Sequence, residues 1–288
     1  MDTMNETQEY NSAAEYLQYF YEIPDDLPEL PLADEPFAAV WTRPDGGELR
    51  GLDVLAYLAN ELGLPADDFP WENVDALRLG RTQTLAGRLP VITTESHADF
   101  RNMEALLNGR AEPMALPPTV NAFTMQTRAK AIRRHRVILL NRAPYSNIPA
   151  DALGLDEDDW IVRSQRLRLR HECAHYETLR LFGGMRNHPL DEIAADALGQ
   201  IAAFGNFDAD RQRLFFGLER GRGVCHGRLS FYCRTVRPEE REAVYLAVDR
   251  VLDSTAAELN RLAGRGATEL ELLKALAGSS VAERAKQG

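Results

Sequence analysis

Between Asp156 and Gly184 the chain repeats its less polar positions at steps of three and four: Trp160, Leu167, His171, Ala174, His175, Thr178 and Phe182. In a helix such positions fall on one face. Acidic residues Glu157, Asp158 and Asp159 suit the start of this element, and Gly183-Gly184 suits its end. A second helix is predicted from Pro189, with Leu190, Ile193, Ala197, Ile201 and Phe204 as its apolar stripe before Gly205.

Upstream the pattern is mixed. Residues 37–41, FAAVW, predict a strand, LDVLAYLANELG from Leu52 a helix, and LPVITT from Leu89 a further apolar piece. The run Val137 to Leu140, ended by Asn141 and a proline turn, predicts a buried strand. Beyond residue 208 helices are expected on both sides of GRGVCHGRLSFYCR. The expected fold is therefore α+β and helix-rich: a mixed α/β lobe over about 37–155, then active-site and C-terminal helices over about 156–288.

Charge changes the picture at the N-terminus. Residues 1–36 carry ten acids and no base, interleaved with Tyr10, Tyr16, Tyr19, Phe20 and Tyr21 and followed by a proline-spaced run. A flexible acidic arm is expected there, its aromatics available to dock on a surface. With 33 basic and 44 acidic residues the net charge is −11, which argues against nucleic acid as a partner. No stretch is long and apolar enough to suggest a membrane partner, and the opening residues lack a secretory pattern, so a cytoplasmic location is expected. Three cysteines, Cys173, Cys225 and Cys233, are an odd set for a disulfide framework and are expected as reduced thiols.

The candidate chemistry lies in the first long helix, where His171-Glu172-Cys173-Ala174-His175 reads HExxH. Two imidazoles four residues apart on a helix can reach one cation, and the glutamate beside the first can reach a water on that cation. Seventeen positions past His175, Glu192 offers a third ligand, and Asp196, four residues further on the same face, can fix the tautomer of a ligating histidine. His188 competes as an alternative ligand but suits a helix-cap role, and Cys173 suits packing.

HExxH followed on a later helix by ExxxD resembles the gluzincin branch of zinc metallopeptidases. The string running from HE..HY through G.MRN to DE..AD also resembles one in uncharacterised bacterial proteins. The first resemblance implies a zincin-like fold, Zn²⁺ held by His171, His175 and Glu192, Glu172 as general base, Asp196 supporting a histidine ligand, and a peptide or protein substrate. His226 and Tyr232 are the candidates for stabilising the oxyanion. Arg168 before the motif and Glu177 after it depart from the usual uncharged flanks. The alternative is a catalytically inactive, metal-stabilised regulatory or partner-binding protein with a zincin-like fold. The sequence carries no sign of oligomeric state.

Overall fold

The computed structural model describes residues 9–41 and 46–287. Residues 1–8 of the expected acidic arm lie outside them. The chain divides into two compact units, one over residues 28–143 and one combining the N-terminal segment up to residue 27 with everything from residue 144.

The first unit is built on a mixed five-stranded sheet of order β1-β2-β3-β5-β4. Its strands are β1 (Leu49–Arg50), β2 (Arg78–Thr84), β3 (Gly87–Thr94), β4 (Ala122–Gln126) and β5 (Arg136–Asn141). A two-residue turn joins β2 to β3, where the Thr84 hydroxyl accepts from Ala86 N at 3.0 Å and donates to Gly87 O at 2.6 Å. β3 and β5 run parallel with Ile92 opposite Leu139, and the remaining pairs are antiparallel. All four residues from Val137 to Leu140 are buried, as expected of an apolar run with neighbours on both faces. Two helices flank the strands: α2 (Leu52–Asn60), and α3 (His97–Asn108), which is capped by the Ser96 hydroxyl. The strand predicted at 37–41 is instead a 3-10 turn over Pro36–Ala39. Pro36 sets its first turn, and Phe37 and Trp41, four apart, are both buried, a helical spacing and not an alternating one.

The second unit is helical. Its short first helix α1 (Ala13–Tyr16) is followed by α4 (Glu157–Phe182), α5 (Pro189–Phe204) and α6 (Ala209–Phe216). A hairpin of β6 (Leu218–Glu219) and β7 (Val224–Cys225) leads to α7 (Leu229–Tyr232), α8 (Arg241–Gly264), α9 (Glu269–Ala277) and α10 (Val281–Gln287). The Asp156 carboxylate caps α4 by accepting from Asp159 N at 2.8 Å. Tyr145, Ala150, Trp160, Leu167, Ala203 and Phe215 form one buried cluster, with Ile148 and Leu153 packed against it. Residues 144–155 therefore belong with the helices, and the division falls at residue 143 rather than near 155.

The helix pair α4/α5 positions the candidate site. Gly199 lies so close to α4 that a Cβ there would be 2.8 Å from the Leu167 carbonyl oxygen. From that crossing the antiparallel register follows: one turn forward on α4 matches about one turn back on α5. His171 accordingly meets Asp196, and His175 meets Glu192. The i,i+4 spacing of each pair is what lets the two pairs face one another.

The N-terminal segment differs from the flexible arm expected. Tyr16, Leu17 and Tyr21 are buried, Tyr10 N donates to Thr235 O at 2.8 Å, Tyr21 N to Ala277 O at 3.0 Å, and Ala282 N to Leu17 O at 3.0 Å. The acids Glu9, Glu15, Glu22, Asp25 and Asp26 stay exposed, so charge faces water while the aromatic and aliphatic residues pack. The three cysteines are free thiols. Among the described residues, no helix is long and apolar enough to cross a membrane.

Candidate metal centre

His171, His175 and Glu192 each offer a ligand atom, and these atoms all lie within 4.8 Å of one another. The two Nε2 atoms are 3.0 Å apart. Glu192 Oε2 is 3.7 Å from His171 Nε2, and Glu192 Oε1 is 3.6 Å from His175 Nε2. A tetrahedral ion with bonds near 2.1 Å needs its ligand atoms about 3.4 Å apart. The two carboxylate distances run to different oxygens, so each imidazole has a Glu192 oxygen within reach, and two imidazole nitrogens with a carboxylate are donor types that zinc takes.

His171 owes its orientation to a hydrogen-bonded chain. Its Nδ1 is 2.8 Å from Asp196 Oδ1, and with the proton on Nδ1 the lone pair of Nε2 points into the cluster. Asp196 is fully engaged: Oδ1 also accepts from the Tyr145 hydroxyl at 2.5 Å, and Oδ2 from Gln212 Nε2 at 2.6 Å and from Arg228 Nη2. Gln200 holds Gln212 in turn, through Nε2 to Oε1 at 2.7 Å. Such supporting partners fix both tautomer and ring orientation at a metal.

The electrostatics follow from burial. His171, Glu172, His175 and Glu192 are all under 10% exposed. Burial and the neighbouring His171 push the His175 imidazole down to about 3, leaving it neutral with a lone pair to give. Burial lowers His171 too, but the Asp196 hydrogen bond and charge outweigh it and the net direction is upward. Burial raises Glu192, opposed by His171 and Arg228. Asp196 is held well below the usual carboxylate range because the Arg228 charge and the His171 hydrogen bond outweigh its burial. The Glu172 charge is felt by both imidazoles.

The two oxyanion candidates part company. Tyr232 lies beside the cluster: its hydroxyl is near enough to Glu192 to oppose the upward push of burial on that carboxylate, and Arg228 Nη1 approaches the hydroxyl at 3.5 Å. His226 does not serve there. Its side chain is 73% exposed on the β6–β7 hairpin and pairs with Glu219 at 2.9 Å. Its backbone continues the hairpin pairing, His226 N donating to Gly217 O at 2.8 Å, while its imidazole stays at the surface with Glu219. His188 is the N-cap of α5, its Nδ1 accepting from Leu190 N at 3.1 Å, and Cys173 is buried in α4.

Two residues of the site escaped the sequence reading. Arg228 Nη1 lies 3.3 Å from Glu192 Oε2, its Nη2 bonds Asp196, and its guanidinium sits over the Tyr145 ring. Tyr145 stands 3.1 Å from His171 Nδ1. A lone arginine and a tyrosine 26 residues before the motif carry no spacing signal.

The model of a family of unknown function (DUF7005) matches residues 120–283, more than half of the 288-residue chain. The chain belongs to that family. No curated protein and no solved structure matches it.

Proposed function

We propose that this protein is a zinc-dependent hydrolase with a zincin-like active site, and that its substrate is a peptide. The observation that carries the reading is the cluster of His171, His175 and Glu192, one ligand atom of each within 4.8 Å of the others, with Asp196 behind the first imidazole. Zinc held there would supply Lewis acidity and a water acidified toward neutral pH. Glu172, in the same turn as the first ligand, is the group to take the proton of the attacking water and hand it to the leaving nitrogen. Asp196 and Tyr145 keep the His171 ring turned, and Arg228 holds the Glu192 carboxylate with Tyr232 close by.

A second reading is supported by the burial of the whole cluster: a metal-stabilised protein in which the same residues staple α4 to α5 and a partner is bound elsewhere. Glu172→Gln separates the two. If the chain is a hydrolase, the variant keeps one zinc per chain while cleavage of a peptide library falls by several orders of magnitude. Zinc-loaded wild type that cleaves nothing in that library contradicts the hydrolase, and a variant that cleaves as well as wild type contradicts Glu172 as its general base.

A further inference from the structure

The segment that carries the N-terminal tyrosines meets the ligand-bearing helix at two points. The Tyr21 hydroxyl donates to Asp191 Oδ1, which also accepts from Arg186 N at 3.1 Å. His188 caps α5 through Nδ1, which requires its proton on Nε2, and Tyr16 O accepts that proton at 2.9 Å. The carbonyl of the segment thus sets the tautomer that the cap needs. Asp191 and Glu192 follow in the first turn of the same helix. On the other side of the site the Tyr16 hydroxyl donates to Tyr232 O at 2.8 Å, in the residue whose own hydroxyl lies near Glu192 and takes an approach from Arg228 Nη1 at 3.5 Å.

We infer that residues 10–21 are a brace, and that Tyr16 and Tyr21 are positioning residues for the third metal ligand, acting through His188, Asp191 and Tyr232. This rests on the zinc-site reading above. The placement sets the brace apart from the two roles usual for an acidic N-terminal tail, since neither a solubility tag nor a gate over the cleft needs its tyrosines tied to the helix cap. Residues that orient a ligand typically govern metal affinity by tenfold or more when removed. The brace therefore makes residues 10–21 part of a metal centre whose first ligand follows 150 residues after Tyr21.

The test is zinc affinity of the full-length chain by competition with a chromophoric chelator, for wild type, Tyr16→Phe/Tyr21→Phe and Tyr57→Phe. Tyr57 serves as the control because its hydroxyl donates to Val40 O in the other unit. The double variant keeps both rings, and its zinc affinity should fall about tenfold with circular dichroism unchanged. The visible spectrum of the cobalt-substituted protein should change, and the amides from Leu190 to Ile193 should exchange faster. Tyr57→Phe should match wild type in all three. Zinc affinity within twofold of wild type, an unaltered cobalt spectrum, or peptide turnover that rises at constant affinity, as a lid would give, overturns the brace. Should the double variant fail to fold, Tyr21→Phe alone is read the same way. Wild type that takes up no zinc overturns the zinc-site reading, and the amide exchange then decides the brace by itself.

Discussion

Replacing Gly199 by alanine sets two effects of opposite sign against each other. Helix propensity alone favours alanine in a helix interior by about 1 kcal/mol. Against that, the new Cβ would lie 2.8 Å from the Leu167 carbonyl oxygen and 3.1 Å from Leu167 Cδ2. The first of these is a backbone atom inside α4 and cannot rotate aside. Relief requires the helices to separate by several tenths of an ångström, and overpacking of this kind costs about 1–3 kcal/mol. The net expectation is a loss of up to about 2 kcal/mol in urea unfolding of the metal-free protein. Separation also lengthens the 3.6 and 3.7 Å distances from the two Glu192 oxygens to the histidines, so zinc affinity should fall about tenfold. Gly264, helical and with nothing within 4 Å of an added Cβ, is the control, where alanine should be neutral or stabilising. A Gly199→Ala protein as stable as wild type, with unchanged zinc affinity, would refute the argument that this contact sets the register of the site.

Removing zinc with a chelator should lower the melting temperature of wild type, since free zinc at 100 times its dissociation constant stabilises the folded state by about 2.7 kcal/mol; identical curves with and without chelator contradict a helix-linking ion. His188 gives a pH dependence: burial pushes its imidazole down to about 3, against the partial opposition of the Tyr16 carbonyl. The unfolded chain therefore takes up this proton first, so the contribution is complete above about pH 6.5 and is lost progressively as pH falls toward 3, at no more than about 1.4 kcal/mol per unit. His188→Asn, which retains a capping side chain, should flatten the melting temperature of metal-free protein between pH 7 and 4.5; an unchanged slope contradicts the assignment.

The helical half of the fold was legible because its signals are local. Asp156, Gly183, Pro189 and Gly205 punctuate α4 and α5, and spacing of four within each helix places His171 with His175 and Glu192 with Asp196. The buried run of β5 was legible for the same reason. What sequence could not supply was the crossing point: Gly199 reveals its purpose only when Leu167 lies against it. In GRGVCHGRLSFYCR, histidine and tyrosine drew notice as proton donors, yet a hairpin turns His226 outward while Arg228, two residues on, enters the site. The arm misled because its charges were read as the property of the whole segment, whereas Tyr16, Leu17 and Tyr21 bury one side of it. At residues 37–41 β-prone aromatic and valine residues suggested a strand, and Pro36 with an i,i+4 apolar pair made a helical turn.

The central claim is that α4 and α5 hold one catalytic zinc with an open position, and a crystal structure of zinc-loaded protein with anomalous data at the zinc edge tests it most directly. The account predicts a single ion bound by His171 Nε2, His175 Nε2 and a Glu192 carboxylate oxygen at about 2.0–2.2 Å, with a non-protein fourth ligand beside Glu172. An ion closed off by a fourth protein ligand, or zinc bound anywhere but between these two helices, would contradict it.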